Sequence, residues 1–149
     1  MALDRYNVIH QFNAPPQRGL MRVNPDDLDH CLTLFKILSE SAQQPAFSEH
    51  VQFVQGRPYL RWYFIIGNNS ELVGSIYLTR QHEIGVHVFQ EFQRQGYGGM
   101  AVRELMRMHQ GDVNGPFLAN INPEDDRGVR FWKSVGFVLK HLTYAGSAS

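Results

Sequence analysis

The stretch Gln93-Arg94-Gln95-Gly96-Tyr97-Gly98-Gly99-Met100 constrains this chain more than any other. Three glycines within four positions let the backbone bend tightly and approach a ligand with no side chain in the way. The apolar run Ile84-Gly85-Val86-His87-Val88-Phe89 precedes it and reads as a strand. An amphipathic run over residues 101–108 follows and reads as a helix. The first N–H groups of such a helix have no intrahelical partner, and the helix dipole adds partial positive charge there. A turn of this kind suits an anion, commonly a phosphate, and Arg94 adds a full charge beside it.

Three phosphate-binding readings compete with a plain strand-to-helix turn. A Walker A loop needs Gly-Lys-Ser/Thr, and Gly98-Gly99-Met100 departs from it. A dinucleotide fingerprint for NAD can be traced through Gly96, Gly98 and Ala101, but it belongs early in a βαβ unit with parallel strands to come. Too little chain follows for those strands. The third spacing, Gln/Arg-x-x-Gly-x-Gly, is met by Gln93, Gly96 and Gly98. It resembles the coenzyme A pyrophosphate loop of the GNAT superfamily of N-acetyltransferases.

A second stretch strengthens that resemblance. Residues 121–137 read as a polar lead-in, an amphipathic helix, and Gly136-Phe137 opening a new strand. Asp125 or Asp126 can cap the helix and Gly136 suits the position past its end. The segment is similar to the GNAT pattern Asn-x-x-Ala-x-x-Phe-Tyr-x-x-x-Gly-Phe, with Asp125, Gly128, Phe131-Trp132 and Gly136-Phe137 in the matching places. Order and separation of the two motifs agree over residues 83–137. Two departures stand out. Trp132 replaces the family tyrosine, and an indole N–H donates a hydrogen bond but transfers no proton near neutral pH. Asp125 replaces the asparagine that contacts the pantetheine arm.

The resemblance implies a GNAT-type α/β (α+β) fold, with a largely antiparallel central sheet flanked by about four helices. The residues alone support mixed α and β. They read as a strand at 20–23, a helix opened by Asn24-Pro25-Asp26-Asp27, a second helix near 46–55, and strands at 59–66 and 71–79 around Gly67-Asn68-Asn69-Ser70. A strand at 83–89, a helix to about His109, a strand at 117–121, a helix at 126–135 and a strand at 137–143 complete the order. In the first helix, Leu28, Cys31, Leu32, Phe35 and Leu38 form the expected apolar face; in the second, Phe47, Val51 and Val54 do. Residues 5–12 read as an extra edge strand and 144–149 as a disordered tail.

Length and composition fit one domain over 1–149: 43% hydrophobic and 12% aromatic residues suffice for a core. Fourteen basic residues balance fourteen acidic ones, which gives no electrostatic case for nucleic acid or an anionic membrane. Cys31, the single cysteine, fits a reducing compartment, and no signal-peptide or transmembrane segment is evident, so the cytoplasm is expected. The histidines lack metal-ligand spacing.

Acyl transfer from a thioester to an amine needs a base, a donor for the carbonyl oxygen, and two substrates held together. Glu83 lies near the place of a catalytic glutamate in many family members, and its bland alternative is an exposed strand-end acid. His87 has an intrinsic pKa near 6.5, and its alternative is a partly buried, hydrogen-bonded histidine. Strand alternation puts Glu83, Gly85, His87 and Phe89 on one face. The resemblance further implies acetyl-coenzyme A as cofactor, held by Val88, Phe89, Gln93, Arg94, Gln95, Gly96, Tyr97, Gly98, Gly99, Asp125 and Trp132. It implies a small-molecule or protein amine as acceptor, and a homodimer is compatible with it. A non-catalytic acyl-coenzyme A-binding protein is the alternative that Trp132 suggests.

Overall fold

The computed structural model describes residues 18–40, 44–140 and 145–148. Strand β1 (Gly19–Arg22) leads to helices α1 (Leu28–Leu38) and α2 (Phe47–Gln55). Strands β2 (Arg61–Ile66), β3 (Leu72–Leu78) and β4 (Ile84–Val88) come next, then helices α3 (Tyr97–His109) and α4 (Asp126–Ser134). Among the described residues the strands form one antiparallel sheet in the order β1-β2-β3-β4. The architecture is therefore mixed α/β with four helices, as expected. The β2–β3 hairpin turns at Gly67, whose N–H donates to the Glu71 carbonyl at 2.8 Å.

Alternation along the strands divides the core in two. Tyr63, Ile65 and Ile76 face α3, where Ala101, Val102 and Leu105 pack on them. Phe64, Ile66 and Leu72 face α1 and α2, against Cys31, Leu34, Ile37 and Val54. Side chains such as Phe64 and Ile65, with no exposed surface, each contribute about 1.5–3 kcal/mol by leaving water.

Helix α1 begins where its sequence signals, with the Asp27 carboxylate accepting from the N–H groups of Asp29 and His30 at 2.8 and 3.3 Å. Its buried face differs from the expected one. His30, Cys31, Thr33, Leu34 and Ile37 point inward, whereas Leu28 is 61% exposed. Two polar side chains tolerate this because they have partners: Thr33 Oγ1 donates to the Asp29 carbonyl at 2.8 Å, and His30 Nδ1 accepts from the Asn24 N–H at 2.8 Å. In α2 the inward residues are His50 and Val54, with Val51 packed beside them and Phe47 39% exposed.

Two expected strands are not formed as such. Residues 117–121 make a single parallel bridge, between Glu83 and Leu118. Pro116 and Pro123, which have no N–H to donate, flank this segment and limit its extension as a strand on either side. Residues 137–140 carry no strand, and Val138 and Leu139 are 84% and 80% exposed. Residues 141–143 and the expected edge strand at 5–12 lie outside the described residues, and 145–148 are exposed without regular structure. No helix among the described residues is long and apolar enough to cross a membrane.

Candidate active site

Strand β4 has one paired edge and one open one. The Thr79 N–H donates to the Glu83 carbonyl and the Phe89 N–H to the Val73 carbonyl, both at 2.8 Å. Antiparallel pairing alternates, so Glu83, Gly85, His87 and Phe89 direct their backbone groups to β3, and Ile84, Val86 and Val88 direct theirs outward. The Ile84 N–H is taken by the Leu118 carbonyl at 2.8 Å. Beyond that point the 117–121 segment no longer pairs. The Val88 carbonyl accepts from Gln93 Nε2 at 2.9 Å, while the N–H groups of Val86 and Val88 have no partner among the described residues. A slot with two unpaired donors on its wall results.

The slot runs toward the glycine turn. Arg94 (φ 64°) and Gly96 (φ 84°) adopt the left-handed conformation that folds the chain back into α3. The first bond of that helix runs from the Met100 N–H to the Gly96 carbonyl at 3.0 Å. The N–H groups of residues 94–99 therefore have no partner among the described residues. Gly98 is bare for a packing reason as well, since a Cβ there would meet Phe131 of α4 at 3.0 Å.

The expected cofactor residues divide by what their side chains do. Arg94 is exposed beside the turn. Gln93 bridges elements instead: besides holding the Val88 carbonyl, its Oε1 accepts from Arg127 Nη2 at 3.2 Å. Gln95 reaches the Glu91 carbonyl at 3.5 Å. The Tyr97 ring is buried with its hydroxyl 3.4 Å from Glu71 Oε1, which leaves its backbone N–H as the group facing the turn. Phe89 is buried against the α1 side of the sheet. Asp125 is the N-cap of α4, accepting from the Gly128 N–H at 3.0 Å. Trp132 is 8% exposed, in edge-to-face contact with Phe131 and Phe137.

Beside β4, on the α1/α2 face, lies a cavity of about 710 Å³ to which Glu83, His87 and Trp132 all contribute. Glu83 and His87 thus share one side of the strand, as alternation predicts. Four residues of strand separate them by roughly 13 Å, too far to share a proton. Their environments differ. The Glu83 carboxylate has no hydrogen-bond partner among the described residues. His87 Nε2 lies 3.3 Å from Glu40 Oε1, and that same oxygen accepts from the Gln90 N–H at 3.1 Å.

Glu40, just past the end of α1, and Arg127, in the first turn of α4, are site residues that the sequence reading missed. Glu40 gave no signal, standing 47 positions from His87. Arg127 lies inside the second motif, where a cation near a phosphate loop was open to notice. Among cavity groups, burial lowers the pKa of His50, whose Nε2 is 3.1 Å from the Cys31 carbonyl. Burial and the neighbouring Tyr77 push the Tyr59 hydroxyl up to about 12, so it keeps its proton near neutrality.

Similar proteins share this architecture. A putative acetyltransferase from Agrobacterium tumefaciens superposes with a TM-score of 0.64 at 19% identity, over 87% of this chain and 99% of that one. AAC(6')-Iy in complex with a bisubstrate analogue gives 0.66 at 13% identity, over 90% and 100%. RimL, a ribosomal alpha-N-protein acetyltransferase in complex with coenzyme A, gives 0.66 at 19%, over 82% and 80%. No curated protein matches the chain in sequence. The acetyltransferase (GNAT) family model matches residues 30–137, which span both motifs and every element that builds the slot and the cavity, and the chain belongs to that family.

Proposed function

We propose that this protein transfers an acetyl group from acetyl-coenzyme A to a primary amine, by direct attack with both substrates bound. One observation carries the reading: the unpaired N–H groups of residues 94–99 follow, along the chain, the unpaired N–H groups on the open edge of β4, and that strand also lines a cavity holding the unpartnered Glu83 carboxylate. The residues fit the cofactor. The N–H groups at the start of α3, with Arg94, suit a pyrophosphate. The Val86 and Val88 N–H groups suit the amide oxygens of a pantetheine arm, as an edge strand accepts an added strand.

When bound, acetyl-coenzyme A supplies an acyl group activated as a thioester. Glu83 takes the proton that the amine nitrogen must lose as the C–N bond forms. Transfer of the acetyl group to the nitrogen would release coenzyme A as its thiolate, which would take a proton from water. Trp132 has no proton to give it. The Val86 N–H is a donor available to a carbonyl oxygen in the slot. Similarity to AAC(6')-Iy and RimL supports both small-molecule and protein amines as acceptor classes.

The test is thermal stabilisation by acetyl-coenzyme A, coenzyme A and NAD, followed by thiol release with an amine panel. A ligand at about a hundred times its dissociation constant adds roughly 2.7 kcal/mol, or about 5–10 °C here. A rise with the coenzyme A compounds alone supports the reading, and no rise removes it. Stabilisation without thiol release from any amine favours the second reading, a non-catalytic acyl-coenzyme A-binding protein, for which Trp132 in place of an acid is the specific observation.

A further inference from the structure

The cavity beside β4 has a chemical character of its own. Four rings make one wall. Tyr59 and Tyr77 stack with centroids 3.8 Å apart and planes 8° from parallel. Trp62 meets Tyr59 edge-on at 4.7 Å, and Phe53 meets Trp62 at 6.4 Å. Trp62 and Tyr77 are cross-strand partners on β2 and β3, and the Tyr77 ring lies over Gly85 of β4 where a side chain would otherwise stand. Leu34, Ile37, Leu38 and Pro45 add an aliphatic lining. The charged residues lining the cavity are Glu49 and Glu83, and no lysine or arginine is among the described residues around it.

From this juxtaposition of a braced aromatic wall, an aliphatic lining and two carboxylates we infer that the acceptor is a primary amine carried on a compact apolar or aromatic body. The inference rests on the acetyl-transfer reading for its chemistry. Aromatic faces and carboxylates both attract an ammonium ion, and the apolar walls reward a body that sheds little water. Rings fixed against one another lose little freedom when a ligand arrives. A polyhydroxylated amine would have to lay hydroxyl groups against the rings and aliphatic side chains, and each one that finds no partner among Glu49, His50, Ser75, Glu83, His87 and Asn120 costs binding.

Binding and turnover can be read separately. Both tryptophans of the chain, Trp62 and Trp132, line the cavity, so their fluorescence reports occupancy directly. Phenethylamine should quench it with saturation, while glucosamine and a short peptide with a free N-terminus should not at the same concentrations. In thiol release with acetyl-coenzyme A, kcat/KM for phenethylamine should exceed that for glucosamine by roughly tenfold or more. Glu49→Gln, at an exposed position, should raise KM for phenethylamine about two- to fivefold and leave KM for acetyl-coenzyme A unchanged. Equal or better binding and turnover of glucosamine or the peptide overturns the inference, as does absence of quenching by phenethylamine. Quenching without any coenzyme A stabilisation leaves the cavity assignment standing and removes acetyl transfer instead.

Discussion

Glu83 enters β4 with its N–H held by Thr79 Oγ1 at 3.0 Å, so its backbone is fixed while its carboxylate stays available. His87, two strand repeats further on, is already engaged by Glu40. A base must accept a proton from the amine, and a carboxylate with no competing donor is the better placed of the two. Glu83→Gln should therefore lower kcat by roughly 10²- to 10⁴-fold with KM for acetyl-coenzyme A unchanged. His87→Ala removes a partly exposed contact with Glu40 and should cost less than about tenfold. Steady-state kinetics of the two variants side by side decide the matter. The reverse order would give the base to His87, with Glu40 holding its ring in place.

At the scale of elements, α4 ties the glycine turn to the cavity, because Phe131 packs on Gly98 and Trp132 lines the cavity wall. Its start depends on the Asp125 cap. Asp125→Ala should cost about 0.5–2 kcal/mol, read as a fall in Tm of a few degrees, whereas Asp125→Asn preserves the cap and should stay near wild type. If the carboxylate only caps, coenzyme A stabilisation survives in the Asn variant; its loss there would assign Asp125 to the cofactor. A Cβ at Gly128 would meet Asp125 Oδ2 at 2.6 Å, so Gly128→Ala should displace the same cap and reproduce the alanine phenotype.

These local devices explain what the sequence made legible. Glycines, caps and strand alternation act within a few residues, so the turn at 93–99, the start of α1 and the shared face of Glu83 and His87 could all be read in advance. The inward face of α1 was misread because it buries His30 and Thr33, polar residues whose partners lie in the fold rather than in the pattern. The Glu40–His87 contact and the diversion of Gln93 to Val88 and Arg127 depend on tertiary neighbours and left no periodic trace. The break in pairing at 117–121 depends on where that segment diverges from β4 in the fold, and hydrophobicity alone does not carry that information.

For the whole molecule, the α1/α2 layer that walls the cavity holds two buried histidines. His30 is 4% and His50 5% exposed. Burial lowers both pKa values, and the pull of Asp27 and Asp29 on His30, like the Cys31 carbonyl on His50, opposes this only in part. His30 Nδ1 also accepts from the Asn24 N–H, a bond that only a ring unprotonated at that nitrogen can make. In the unfolded chain both rings titrate near 6.5. Below that pH the unfolded state binds protons that the folded state resists, so stability is full above about 6.5 and falls as acid is added. The depressed pKa of Asp112, set first by its bond to His109 and aided by Arg61, brings a further loss only near and below the carboxylate range of about 4. Between pH 6.5 and 5, then, the decline in Tm should come in large part from His30 and His50, and His50→Gln should flatten it. A Tm level from pH 7.5 to 5 in the wild type would mean that both rings take up protons in place without opening the layer that shapes the acceptor cavity.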